Sequence, residues 1–265
     1  MRLDTFVHAH LQSSPQKKGD RRLKAAQKLI RSGAVSVSST PVLDPKYQFV
    51  PSLEPITISP SSAPLPATPP LLYIAHKPAG CVCALSDDLH PPLLSKLPPL
   101  PPGLSPVGRL DLDTTGAILL TSDGGLQSLL LFPTSRAEKV YRVTLPPARP
   151  LPPDAAERVA AGLTLPDGTG LLPASLVISS PTSCLLTLRE GLFHQVKRMV
   201  AALGSEVASL HRVSFAGVDV EGLAAGEVRA LTEAEVRERV VPALPADRRG
   251  RRELPEDVRK RRRGE

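Results

Sequence analysis

At 265 residues the chain is longer than the ~100 to 150 residues at which single domains cluster, so one ordinary domain plus a smaller one is expected. Apolar residues make up 41%, aromatics only 3%, and Trp is absent, which leaves Leu, Val and Ala to build the cores and makes each aromatic conspicuous. The net charge of +7 divides as +6 over residues 1–50, −3 over 51–246 and +4 over 247–265; such basic ends either grip a polyanion or serve only as solubilising surface.

Three cysteines, Cys81, Cys83 and Cys184, are too few for a disulfide framework, and Cys-x-Cys without a nearby His pair is poorly spaced for zinc. No run reaches the ~20 apolar residues of a membrane span, and the first ten residues lack the apolar centre of a secretory signal. A reduced intracellular protein is therefore expected.

In chain order, Leu3, Phe6, Val7 and Leu11 fall at helical spacing, and Leu23, Ala26, Leu29 and Ile30 repeat the pattern before Gly33, predicting two short helices. Alternation at Val35-Ser36-Val37-Ser38 and again at Ile56 and Ile58 predicts short strands. Residues 59–70 are Pro-, Ser- and Ala-rich and read as a linker. A larger domain opens with the apolar run Leu71-Leu72-Tyr73-Ile74 and continues through strand-like runs at 117–120, 141–145, 183–188 and 213–215. Helical pieces alternate with them: 154–161 before Gly162, 194–203 before Gly204, and 232–239 opened by a Thr232/Glu235 capping box. The proline cluster at 91–106 reads as an extended loop, and the Arg-rich residues 244–265 as a disordered tail.

The densest polar constellation is Gly108-Arg109-Leu110-Asp111-Leu112-Asp113-Thr114-Thr115-Gly116, before the apolar Ala117-Ile118-Leu119-Leu120. Asp111, Asp113, Thr115 and Gly116 match the opening positions of a calcium loop, but the position that needs a bidentate Glu is Ser122. Asp111-x-Asp113-x-Thr115 also matches aspartyl-phosphate phosphatases, although the preceding residues make a poor strand and no later acid pair offers a magnesium site. A plain turn, with Asp113 and Thr115 bonding local backbone, is the structural alternative.

The run from Gly108 to Gly124 resembles the signature of pseudouridine synthases, in which the Asp after Arg-Leu is the nucleophile. His76-Lys77-Pro78-Ala79-Gly80, Glu138-Lys139-Val140-Tyr141-Arg142-Val143 and Glu190-Gly191-Leu192-Phe193-His194-Gln195-Val196-Lys197-Arg198-Met199 resemble the family's other motifs, in the family's order. Residues 1–58 resemble the alpha-L RNA-binding domain that precedes the catalytic domain in one branch. Cys81-Val82-Cys83, Asp87-Asp88, His90-Pro91, His194-Gln195-Val196-Lys197-Arg198-Met199 and Leu210-His211-Arg212 favour the branch acting on small-subunit ribosomal RNA.

The resemblance implies an α+β fold class: a small α/β RNA-binding domain over 1–58, the linker, then a mixed, mainly antiparallel sheet with flanking helices over 71–243 as the catalytic domain. It implies isomerisation of a uridine in ribosomal RNA, free or in an assembling subunit, by a cytoplasmic or organellar monomer that needs no cofactor and no metal. Asp111 is then the nucleophile, Lys197 the cation that keeps a buried carboxylate ionised, and Tyr141 the ring that stacks on the flipped uracil. Arg109 would fill the vacated space or hold a phosphate. Arg2, Arg21, Arg22, Lys24, Lys28 and Arg31 would bind RNA backbone. Asp113 reads as a turn-former. Leu192 departs from the basic residue usual after Glu-Gly in the family. A non-catalytic RNA-binding assembly factor is the rival reading.

Overall fold

The computed structural model describes residues 2–11, 21–47, 49, 54–61 and 72–245. Most of the linker and nearly all of the basic tail expected from the sequence lie outside those residues.

The amino-terminal unit forms its expected pieces. Helix α1 (Leu3–His10) buries Leu3, Phe6 and Val7, and α2 (Arg21–Arg31) buries Ala26 and Ile30. They share a core with β1 (Val35–Val37), which is flanked antiparallel by β2 (Thr40–Pro41) and β3 (Ile56–Ile58). Leu11 and Leu23, expected on the apolar faces, are exposed. Asp4 is fully buried beside this core: its carboxylate accepts from Arg2 Nε at 3.1 Å, Arg2 Nη2 at 2.7 Å and Gln27 Nε2 at 3.0 Å. Burial pushes the Asp4 carboxyl up, but those hydrogen bonds outweigh it and hold the group below the usual range.

The larger unit follows as β4 (Leu72–Lys77), β5 (Ser105–Pro106), β6 (Thr115–Thr121), α3 (Gly124–Leu130), β7 (Lys139–Thr144), α4 (Ala155–Ala161), β8 (Ser175–Ser180), β9 (Ser183–Leu188), α5 (Gln195–Ala202), β10 (Ser209–Phe215), β11 (Val218–Asp219), β12 (Val228–Ala230) and α6 (Glu233–Glu235). Its sheet runs β12-β4-β6-β10-β7-β9-β8, with β5 on β6 and β11 on β10. Every pairing is antiparallel except β6 with β10. The expected α+β class, with a mixed and mainly antiparallel sheet, is what forms.

Strand β6 is apolar without alternation because both of its faces are covered. Ile118 and Leu120 join one core with Ala155 and Val159 of α4 and Val196, Met199 and Val200 of α5. Ala117 and Leu119 join a second core with Leu126, Leu129 and Leu130 of α3 and with Val236, Val240 and Leu244. Where β6 and β10 run parallel, Gly116 pairs with Arg212 at φ +108°, and a Cβ there would sit 2.1 Å from the Arg212 carbonyl oxygen. Only glycine permits that approach.

Three elements depart from the sequence reading. Helix α3 was not expected; Asp123 starts it by accepting from the Gly125 and Leu126 amides. The Thr232/Glu235 capping box forms, but only Glu233–Glu235 is α-helical before a π turn (Val236–Val240) and a 3-10 turn around Pro242 replace the expected single helix. The proline cluster is not wholly extended: Leu93–Lys96 is a 3-10 turn and Ser105–Pro106 is a strand.

Candidate active site

Two loops brace each other at the start of β6. The fully buried Lys77, last residue of β4, donates from Nζ to the Thr114 carbonyl at 2.8 Å, the Pro78 carbonyl at 3.0 Å and the Leu112 carbonyl at 3.3 Å. Gly80 N donates to Leu112 O at 2.8 Å, and Leu110 N to the Cys83 Sγ at 3.3 Å. The segments 77–83 and 108–114, two motifs that look independent in sequence, are thus one scaffold for Asp111. Burial pushes the Lys77 amine down against the attraction of neighbouring acidic groups. Lys77 and Cys83 stand in motifs that carry the family resemblance, but the sequence assigns neither a role; the signal for Lys77 is a lysine ending an otherwise apolar strand.

Asp111 is half-buried, its side chain 28% exposed, rather than sealed in as expected. Two groups from the start of α5 approach it: Lys197 Nζ lies 3.8 Å from Oδ2 and His194 Nε2 lies 3.6 Å from Oδ1. Lys197 is held more tightly by Asp113, at 2.8 Å to each carboxylate oxygen. Asp113, in the bend before β6, therefore also holds the lysine, a contact that the turn-former reading did not include. The Lys197 hydrogen bond outweighs partial burial and holds the Asp113 carboxyl below its usual range. His194, which the sequence reading left without a role, occupies the left-handed region at φ 49°.

A cleft of about 640 Å³ opens over Asp111. Tyr141, 8% exposed, lines it from β7, and its register partner Arg212 lines it from β10. Arg109 stands exposed at the edge. Lys139, two residues before Tyr141, is buried beneath the cleft, donates to the Ala137 carbonyl at 3.1 Å and lies 5.3 Å from the centre of the Phe215 ring. Burial, aided by the Arg212 charge and opposed by Glu190, pushes its amine down to about 8. Arg212 Nε donates to Ala117 O at 2.6 Å, while its Nη2 has no hydrogen-bond partner among the described residues.

Residues 72–202 match the family described as RNA pseudouridylate synthase. Ribosomal small subunit pseudouridine synthase A of Escherichia coli (strain K12) is 37% identical over 240 residues, which cover 89% of this chain and 98% of that protein. The chain belongs to the pseudouridine synthase family. The Yersinia pestis protein of the same description is 34% identical over 251 residues, spanning 92% of this chain and the whole of that protein. A solved pseudouridylate synthase superposes with a TM-score of 0.60 at 34% identity, covering 91% of this chain and 99% of that one. The family match runs from β4 to α5, so this pseudouridine synthase carries Lys77, Asp111, Tyr141 and Lys197 within the matched region, whereas Arg212 and the amino-terminal unit lie outside it.

On that amino-terminal unit Lys24, Lys28 and Arg31 are exposed along one stripe of α2. Arg2 is instead paired with Asp4. Arg21 and Arg22 open α2, and their side chains lie outside the described residues. Among the described residues no helix is long and apolar enough to cross a membrane.

Proposed function

We propose that this pseudouridine synthase isomerises one uridine of small-subunit ribosomal RNA, with Asp111 as nucleophile. The observation that carries the substrate is 37% identity over 98% of a relative described as acting on that subunit. The reaction breaks the bond from ribose carbon 1′ to uracil N1, turns the uracil and joins carbon 1′ to carbon 5. Carbon 5 loses a proton and N1 gains one, so the reaction balances without an external oxidant, reductant or energy source.

Asp111 attacks either uracil carbon 6 or ribose carbon 1′ to form a covalent adduct that later breaks. Lys197, shared between Asp113 and Asp111, supplies positive charge beside the nucleophile. The uridine leaves its stack, at a cost of a few kcal/mol, to enter the cleft. Tyr141 packs on the extruded uracil, and Arg109 at the edge holds its phosphate or fills the gap it leaves. The amino-terminal unit acts as an alpha-L RNA-binding domain, with Lys24, Lys28 and Arg31 meeting phosphates without reading sequence. We propose that the protein acts as a monomer, in the cytoplasm or an organelle of bacterial descent.

The test is to map pseudouridine across ribosomal RNA from cells with and without the gene. Loss of one small-subunit pseudouridine in the deletion strain is expected; an unchanged map would refute the proposal.

A further inference from the structure

Of the chain's five Phe and three Tyr, all of which lie among the described residues, seven are buried or partly buried. The eighth is Phe193, 77% exposed. It stands at the mouth of the Asp111 cleft, between Leu192 and His194, which line the same opening. An isolated exposed Phe needs no explanation on its own. This one is held in place with unusual care.

The turn that displays it is fixed from within. The buried Gln195 accepts from the Leu192 amide at 2.9 Å through Oε1 and donates from Nε2 to Glu190 at 2.9 Å; Glu190 also accepts from the Leu172 amide at 2.8 Å. Arg198 Nη1 reaches the Phe193 carbonyl at 3.4 Å. One face of the Phe193 ring lies on the His194 imidazole, with centroids 3.8 Å apart and planes 18° apart. That imidazole is the ring whose Nε2 approaches Asp111. His194 reaches that position from the left-handed region, φ 49°, which few residues other than glycine adopt. The second face of Phe193 is open to solvent.

A flat apolar ring, one face covered and the other free, with Arg109 lining the same opening and with Lys197 and Arg198 nearby in ion pairs with Asp113 and Asp167, fits a nucleobase on a strand whose phosphate runs past Arg109. Stacking of this kind tolerates any base, since each has a π face. Besides Phe193, the cleft exposes Leu112, Leu131 and Leu192, each 36–39% exposed, with Arg109 among them; a membrane or protein partner would call for a wide, contiguous and uncharged apolar patch. We infer that Phe193, backed by His194, is a stacking platform for the nucleobase adjoining the extruded uridine. It holds the RNA strand open at the mouth of the cleft while the target occupies Asp111. The inference rests on the proposed RNA isomerisation and adds a substrate contact to it. Arg109 and Phe193 then flank the opening, one supplying charge and the other a surface to replace lost base stacking.

The test uses the full-length protein with Phe193→Ala and Phe193→Trp. The chain has no Trp, so emission from the second variant reports on that position alone. Three transcripts are offered: small-subunit ribosomal RNA, large-subunit ribosomal RNA and transfer RNA. On the RNA that the wild type modifies, Phe193→Ala should lower kcat/KM roughly 5- to 150-fold, as loss of one base–aromatic stack implies, and Phe193→Trp should restore it. Saturating RNA should quench the Trp emission, which a merely structural role would not do. Wild-type kcat/KM in Phe193→Ala, or Trp emission unchanged by all three bound RNAs, overturns the inference. If the wild type modifies one of the other RNAs, the small-subunit assignment fails while Phe193 is judged on that RNA. If it modifies none, quenching alone decides.

Discussion

Replacing Lys139 by Met tests whether the floor of the cleft carries a buried amine that resists protonation. The folded protein holds that group at about 8 against an ordinary value of 10.5. Below pH 8 the folded and unfolded chains both bind the proton, so the contribution is constant. Between pH 8 and pH 10.5 only the unfolded chain binds it, and stability rises with pH; above 10.5 neither does. A difference of two to three pKa units corresponds to about 3 kcal/mol. Met keeps the length and apolar stem of Lys139 but cannot titrate. Urea unfolding of both proteins at a series of pH values from 7 to 10.5 gives the difference directly. The wild type should gain about 3 kcal/mol on the Met variant across that interval. The buried thiols of Cys81, Cys83 and Cys184, which burial pushes up, pull the other way in both proteins and cancel in the difference. A flat difference would mean that Lys139 stays solvated, and the description of the cleft floor would be wrong.

Lys77→Met should remove the three hydrogen bonds that tie the Asp111 loop to the end of β4. A net loss of about 2 to 4 kcal/mol is expected once relief of the buried charge is allowed for, or roughly 5 to 15 °C in Tm. Below that Tm, kcat should still fall about 10- to 100-fold because the nucleophile is misplaced; a lowered Tm with unchanged kcat would separate the lysine from the site. Gly116→Ala forces a Cβ into the Arg212 backbone and should cost about 3 kcal/mol or more. A thermal scan showing less than about 2 °C of change would contradict the close β6–β10 approach.

Local patterns made much of this fold legible. Ala26 and Ile30 mark the inner side of α2, Gly162 stops α4, and Thr232 with Glu235 forms its capping box. Each of those signals lies within a few residues of its consequence. What could not be read is set by contacts distant along the chain. Lys77 bonds to a carbonyl 37 residues on, and Lys197 meets Asp113 across 84 residues. Neither link leaves a trace in periodicity. Helix α3 escaped notice because it opens with Gly124 and Gly125, the weakest helix formers after proline; its seven residues hold through the Asp123 cap and the burial of Leu126, Leu129 and Leu130. At the site, the motif order pointed to Asp111, Tyr141 and Lys197 together. His194 and Phe193 sat inside a quoted motif, yet only the turn geometry shows one beside Asp111 and the other facing solvent.

The claim that Asp111 is the nucleophile of a uridine isomerase meets its most direct test in tritium release. Small-subunit ribosomal RNA carrying tritium on uracil carbon 5 is incubated with excess wild-type protein or Asp111→Asn. The wild type should release tritium to water in proportion to the pseudouridine formed, and Asp111→Asn should release none. Release by Asp111→Asn at the wild-type rate would contradict the assignment of Asp111.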